Sequence, residues 1–245
     1  MSTPTPTPLH LADARPATDV VVRCADIAHT FGSGPTAVVA VTQVTCEVRR
    51  DSRLAIMGPS GSGKSTLIHL MAGLESVTSG TISWPAFGGT PGGSPGTVGV
   101  VFQGPSLIPS LDALGNVALP LIIQGVSDAE AERRAAEALE ALGLGWLSAR
   151  LPDELSGGQA QRIAVARVLA AGPRLILADE PTGQLDRETG SHVIDVLIEA
   201  ADRLGAGLVI TTHDPEVAGK LSERWLMQDG ELRATPHHDS EGDRP

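Results

Sequence analysis

The stretch Gly58-Pro59-Ser60-Gly61-Ser62-Gly63-Lys64-Ser65, followed by Thr66, constrains this chain more than any other. It has the spacing G-x-x-x-x-G-K-[ST], with a strand-like run at 54–57 before it and a helical pattern after it. Glycines let successive backbone N–H groups turn inward around phosphate oxygens, and the start of a helix adds positive potential there. A lysine brings a compact charge to the outer phosphates of a nucleotide, and the Ser65 hydroxyl can ligate Mg²⁺. The bland alternative is a Gly/Ser turn before a helix. Lysine usage argues against it. Of 18 basic residues only Lys64 and Lys220 are lysine, so a lysine at this position has a chemical reason. The planar fork of arginine does not fit a pocket shaped for a point charge.

The pattern around this stretch alternates. Apolar, β-rich runs occur at 20–24, 38–48, 53–57, 98–102, 175–178 and 208–212, and helical patterns at 64–72, 128–142, 159–171, 186–204 and 215–221. Such alternation predicts an α/β domain with a largely parallel sheet. Residues 104–171 read as helix and loop without a strand, so a helical insertion is expected there. Ser127 should cap the helix that Asp128, Glu130 and Glu132 open, and Gly143 should stop it. The charge cluster 128–134 is expected to be that helix's exposed face. Residues 85–96 hold eight Gly or Pro in twelve positions and read as a loop. Residues 1–19, rich in Thr and Pro, and 234–245 are expected to be disordered tails, leaving one domain over 20–233.

Charge and composition exclude several roles. The formal charge is −11, which argues against nucleic acid as a partner. No apolar run approaches the 18 or so residues of a membrane helix, and the N-terminus lacks the basic and apolar regions of a secretory signal. Cys24 and Cys46 lack metal-site spacing, and a reduced, cytoplasmic chain is the simplest reading. His237-His238 has no further ligands near it, so a solvated tail is favoured over a metal site.

Two further pieces carry chemistry. Residues 174–180 place four apolar residues before Asp179 and Glu180, a buried strand ending in two carboxylates. Asp179 can reach Mg²⁺ through water, and Glu180 can polarise a water as general base. An acidic turn after a strand is common, and the upstream phosphate loop is what gives this one weight. The string Leu155-Ser156-Gly157-Gly158-Gln159 opens a helical pattern, offering a hydroxyl and exposed N–H groups, a second phosphate-seeking surface. Alone it reads equally well as a capped helix start.

Together, and in this order, these pieces resemble the ATP-binding subunits of ABC (ATP-binding cassette) transporters. The resemblance runs from about residue 21 to 232. It implies a P-loop NTPase core with a mostly parallel sheet, an N-terminal antiparallel β subdomain and an inserted helical subdomain at about 104–171. It also implies ATP and Mg²⁺ as ligands and ATP hydrolysis as the activity. By the resemblance, Gln103 in Val-Val-Phe-Gln is the glutamine that touches Mg²⁺ or water and senses the membrane partner. Asp186 in Gly-Gln-Leu-Asp is the D-loop aspartate, and His213 in Thr-Thr-His-Asp is the switch histidine at the γ-phosphate. Phe31 falls where the family stacks an aromatic on adenine; the chain has no tyrosine, and Phe keeps the π-face. The family further implies a head-to-tail dimer, a homodimer here, with ATP between the P-loop of one copy and Ser156, Gly157, Gly158 and Gln159 of the other. The helical subdomain then docks an integral membrane permease, which places the subunit peripherally on the inner face of the membrane.

Residues 109–121 and 178–186 are similar to the branch containing lipoprotein-releasing, macrolide-export and cell-division ATPases. Gly115 stands where that branch has Glu, Gln184 replaces Asn, and 81–97 is shorter and richer in Gly and Pro. One rival is an ATPase mechanotransmitter that regulates a membrane protein without transport; the same motifs serve it. A soluble DNA-repair or translation ATPase would need coiled coils, zinc modules or two cassettes, none of which is present. A small-molecule kinase would lack the 155–159 string and the paired carboxylates.

Overall fold

A computed structural model describes residues 19–91 and 96–234. The expected tails lie outside the described residues except for Asp19 and Ala234, as do the His237-His238 pair and residues 92–95 of the Gly/Pro-rich loop.

Two sheets form the frame. In the first, β1 (Val20–Phe31) pairs antiparallel with β2 (Val38–Arg49) on one side and with β4 (Ser79–Ser83) on the other. Val41, Val44, Cys46 and Val48 of β2 are buried. The step from 41 to 44 breaks simple alternation because β2 carries one extra residue there opposite Ile27–His29 of β1, with Gln43 at φ +48; a neighbouring shift on β1 holds Asp26 at φ 52 opposite 44–46. The extra residue is a bulge that re-aims the strand. Cys24 and Cys46 lie directly opposite each other as free, buried thiols. The hydrogen bond with Cys24, and then burial, holds the Cys46 thiol well above its ordinary range.

The second sheet has six strands in the order β5-β6-β7-β3-β8-β9. These are β3 (Arg53–Met57), β5 (Val98–Val101), β6 (Leu175–Asp179), β7 (Gly207–Thr212), β8 (Glu223–Gln228) and β9 (Glu231–Ala234). All neighbours run parallel except β9, which returns from β8 as a hairpin. Its turn is Asp229-Gly230, with φ 50 and 80, the left-handed pair a two-residue hairpin requires. β6 and β7 are buried along their whole length, as parallel strands covered on both faces must be.

Helix α1 (Lys64–Met71) fills the space between the sheets with Leu67, Ile68, Leu70 and Met71. Trp84 Nε1 donates to the Met71 carbonyl at 2.8 Å and ties the end of α1 to the end of β4. The expected insertion contains α2 (Ala113–Ile123), α3 (Asp128–Ala141) and α4 (Gly157–Ala170), packed on one another around Val117, Leu121, Ala135, Leu139 and Ile163. Buried Asn116 anchors the approach to α2: its Oδ1 accepts from Ile108 N at 2.7 Å, and its Nδ2 donates to the carbonyls of Ile108, Leu111 and Asp112. Ser127 holds the N-cap position of α3, but its side chain makes no capping bond. Gly143, at φ +66, ends that helix as expected. The α3 charge cluster faces solvent, where Arg133, ahead of Arg134, holds the Glu130 carboxyl down at about 2. Helices α5 (Arg187–Leu204) and α6 (Pro215–Gly219) complete the domain.

Candidate functional site

Parallel pairing brings the expected chemistry to one edge. Met57 pairs with Thr212, Thr211 with Asp179, and Ala178 with Val101. The residues that follow, Gly58, His213, Glu180 and Gln103, therefore emerge at the carboxyl ends of four strands of the same sheet. This is where open α/β sheets bind ligands.

The loop between β3 and α1 is shaped by its neighbours. Gly58, Gly61 and Gly63 have φ of 151, 78 and 103. A Cβ on Gly58 would overlap the Met227 carbonyl oxygen, and one on Gly63 would overlap that of Ala40. The hairpin turn buttresses the loop, since Gly230 N donates to Ser62 O at 3.1 Å and Thr42 N to Gly230 O at 2.8 Å. Gly63 caps α1 without a side-chain acceptor, so among the described residues no side chain satisfies the first-turn N–H groups of Lys64, Ser65 and Thr66. Lys64 is buried, and its Nζ donates to the carbonyls of Gly58 at 2.9 Å and Pro59 at 2.8 Å. The ammonium keeps a third donor. The loop thus presents unpaired N–H groups and a positive charge, the donor set of an anion cradle.

Beside it, Asp179 is 4% exposed and its Oδ1 accepts from Thr211 Oγ1 at 2.5 Å. Glu180 leaves the strand at φ +46, a sparsely populated conformation for a residue with a side chain. Its N–H is held by the Thr211 carbonyl at 3.1 Å and Thr211 Oγ1 at 3.0 Å. Its Oε2 meets Nδ1 of exposed His213 at 2.7 Å. The carboxylate accepts, so Nδ1–H donates; a neutral ring then has only a lone pair at Nε2. Thr211 organises both carboxylate residues and was not anticipated; its signal was the Thr-Thr before the histidine. The Asp229-Gly230 turn under the loop was also missed, although Asp-Gly before an apolar residue is a hairpin signal.

Gln103 is exposed in the bend after β5. Gln161 Nε2 of α4 donates to the carbonyl of the preceding Phe102 at 3.0 Å, and Arg167 donates to the Ser106 carbonyl at 2.9 Å. Phe31, at the end of β1, is 45% exposed and not core. The ring of His29 stands edge-on to it with centroids 4.5 Å apart, and His29 Nδ1 bonds the Ser76 carbonyl at 2.8 Å.

Ser156, Gly157, Gly158 and Gln159 stand apart from this group. Ser156 caps α4, its Oγ accepting from Gln159 N at 3.2 Å, while Gln159 Oε1 accepts from Ser156 N at 2.8 Å. A Cβ on Gly157 would lie 3.0 Å from Gln184 Oε1, so the departing Gln184 packs against this helix start. No hydrogen bond among the described residues joins 156–159 to 58–66. Asp186 caps α5, accepting from Thr189 N at 3.0 Å, and that N–H holds its carboxyl below the ordinary value. No helix of the described residues is long and apolar enough to cross a membrane.

Comparison with known proteins identifies the family. The family model described as "ABC transporter" matches residues 41–183. The lipoprotein-releasing system ATP-binding protein LolD of Shewanella sp. (strain MR-4) is 37% identical over 227 residues, covering 90% of this chain and 98% of the relative. Its namesake in Legionella pneumophila (strain Paris) is 37% identical over 223 residues, covering 88% and 98%. Among solved structures, a dimeric ATP-binding cassette in a post-hydrolysis state with ADP and Pi superposes with a TM-score of 0.82 at 35% identity, covering 87% of this chain and 97% of that one. With a family model over more than half of its length and relatives matched nearly end to end, the chain belongs to the ABC transporter family as an ATP-binding, ATP-hydrolysing cassette.

Proposed function

We propose that two copies of this chain close head to tail on two ATP molecules and that the cycle of closing and hydrolysis drives a membrane permease. The observation that carries this reading is the asymmetry of the two helix starts. The phosphate loop shares its sheet edge with Asp179, Glu180, Gln103 and His213, whereas among the described residues no hydrogen bond joins Ser156 or its glycines to any of these, and Gln184 and Leu185 are what pack there. A second copy supplies what each lacks.

In this reading the amides of residues 58–66 and Lys64 bind the phosphates. Phe31 stacks on the adenine. Ser156, Gly157, Gly158 and Gln159 of the opposing copy, with Asp186, close on the γ-phosphate side. The Ser156 hydroxyl accepts from Gln159 N and so keeps its own proton to donate to a phosphate oxygen. Glu180 is the general base: a water oxygen bonds to the γ-phosphorus, the bond to the β–γ bridging oxygen breaks, and the water's proton passes to the carboxylate. His213 holds that carboxylate, and to donate from Nε2 to a phosphate it must be protonated or release Glu180. Ser65 and Gln103 would hold Mg²⁺, with Asp179 reaching it through water, a set of hard oxygens that fits the ion. When bound it neutralises charge on the phosphates.

The relatives' names support a partner in a lipoprotein-releasing membrane system, with the subunit held peripherally at the inner face of the membrane through that partner. Tagged Glu180→Gln chain is the test. With MgATP it should sediment as a dimer that turns over at least about 100-fold more slowly, and it should co-purify with a multi-span membrane protein from solubilised membranes. Rapid turnover would remove Glu180 from the base role. Recovery of the chain alone would overturn the permease partnership.

A further inference from the structure

Lys220 is the second of the chain's two lysines, and the nucleotide site makes no use of it. It follows α6, a five-residue helix that begins two residues after His213. Its Nζ donates to Ser191 Oγ at 2.7 Å, to the Ser191 carbonyl at 3.1 Å and to Asp195 Oδ1 at 2.6 Å. All three donors of the ammonium are therefore spent on α5. At the other end of the same short helix, Arg187 Nε donates to Glu216 Oε2 at 2.8 Å, and Arg187 Nη2 meets Glu216 Oε1. Arg187 is the residue after Asp186, at the start of α5.

These bonds span a groove. A cavity of about 610 Å³ separates α5 from α6, lined by Leu185, Asp186, Ser191, Pro215, Glu216 and Val217 among others. The helices are joined across it by side chains reaching over at each end, while α6 packs against β3 and β7 beneath. A helix this short has little hydrogen bonding of its own to hold it.

We infer that Lys220, with the Arg187–Glu216 pair, braces α6 against α5 and so sets the position of His213; Lys220 is a positioning residue for ATP hydrolysis. The inference rests on the reading of His213 as a residue of the hydrolytic site. Three bonds from one ammonium to two residues of α5, one of them to a main-chain carbonyl, tie the end of α6 to α5. An exposed pair making one bond would hold it less firmly.

The test uses the full chain and four variants: Lys220→Met, Lys220→Arg, His213→Ala and the Lys220→Met/His213→Ala double. Steady-state ATPase rates should show kcat falling about five-fold in Lys220→Met, the factor that roughly 1 kcal/mol of lost positioning gives, with KM little changed. Lys220→Arg should recover part of the loss, because its fork can still span Ser191 and Asp195. In the His213→Ala background Lys220→Met should cost nothing further. Amide hydrogen exchange should rise across 214–221 in Lys220→Met while β7 stays protected. Unchanged exchange at α6, unchanged kcat, or an equal further loss on top of His213→Ala would overturn the brace. Wild-type turnover by His213→Ala would instead sink the reading of His213, and the brace's catalytic role with it.

Discussion

The two glycine-bearing helix starts, at α1 and at α4, have similar wording in the sequence and opposite physical states in the structure. At α1 the cap is Gly63 in a left-handed conformation, with no side chain to satisfy the first turn. At α4 the cap is Ser156, locked with Gln159 in a reciprocal box that satisfies two donors. One end is kept hungry by geometry, the other is already fed. A ligand arriving at α1 finds N–H groups waiting. A ligand arriving at α4 gains chiefly the Ser156 proton and whatever the glycines allow in close approach. On the proposed reading, the difference assigns nucleotide capture to the first region and leaves the second to act later, when a copy of the chain is pressed against it.

The largest test of that contrast is Gly63→Ala. The new methyl would overlap the Ala40 carbonyl on a backbone at φ 103. Nucleotide binding, followed by fluorescent ATP titration, should be lost, and the strain should lower stability by roughly 3 kcal/mol or more. Near-normal binding would mean the loop does not hold its ligand in this shape. Ser156→Ala comes next. Losing the cap should cost about 1 kcal/mol by thermal melting. ATP affinity of the dilute, separate chain should stay unchanged, while turnover at concentrations that allow dimerisation should drop about ten-fold or more. Weakened binding by the separate chain would erase the distinction between the two ends.

The smallest effect sharpens the comparison at a third helix start. Asp186 caps α5 with a carboxyl held below its ordinary 3.8 by the Thr189 N–H. A depressed carboxylate contributes stability above that ordinary value and loses it as the pH falls through the folded one. Asp186→Asn keeps the bond without the charge. Its melting temperature should match the parent's closely at neutral pH and decline less steeply as the pH is taken below 4. Identical acid limbs would show that the cap does not titrate with folding.

How much of this was legible depended on what each residue was paid attention for by the pattern. β3, β6 and β7 are short apolar runs ended by motif residues, and their bounds fall within one residue of the expectation. β4, Ser-Gly-Thr-Ile-Ser, is small, polar and mostly exposed, so nothing in its hydropathy announced a strand; β1 imposes that conformation on it by pairing. β8 does alternate between buried and exposed residues, and its Asp-Gly turn is a hairpin signal in the sequence. α2 was hidden within the insertion by its interior Pro120. At the site, the motif residues could be read singly because their spacing fixes them to strand ends. Their mutual contacts could not. That Glu180 turns back at φ +46 to meet His213, and that Thr211 serves both carboxylate residues, depends on the register of β6 against β7, which a single sequence does not state.

The scarcity of lysine has a practical consequence. Acylating reagents that react with side-chain amines meet only two in this chain, one in the nucleotide loop and one bridging α5 to α6. On the proposed readings, labelling at Lys64 should fall when nucleotide occupies the loop, and labelling at Lys220 should rise when the bridge opens. Peptide mass analysis of one acylated sample would therefore follow both events in the intact membrane assembly, with no engineered probe.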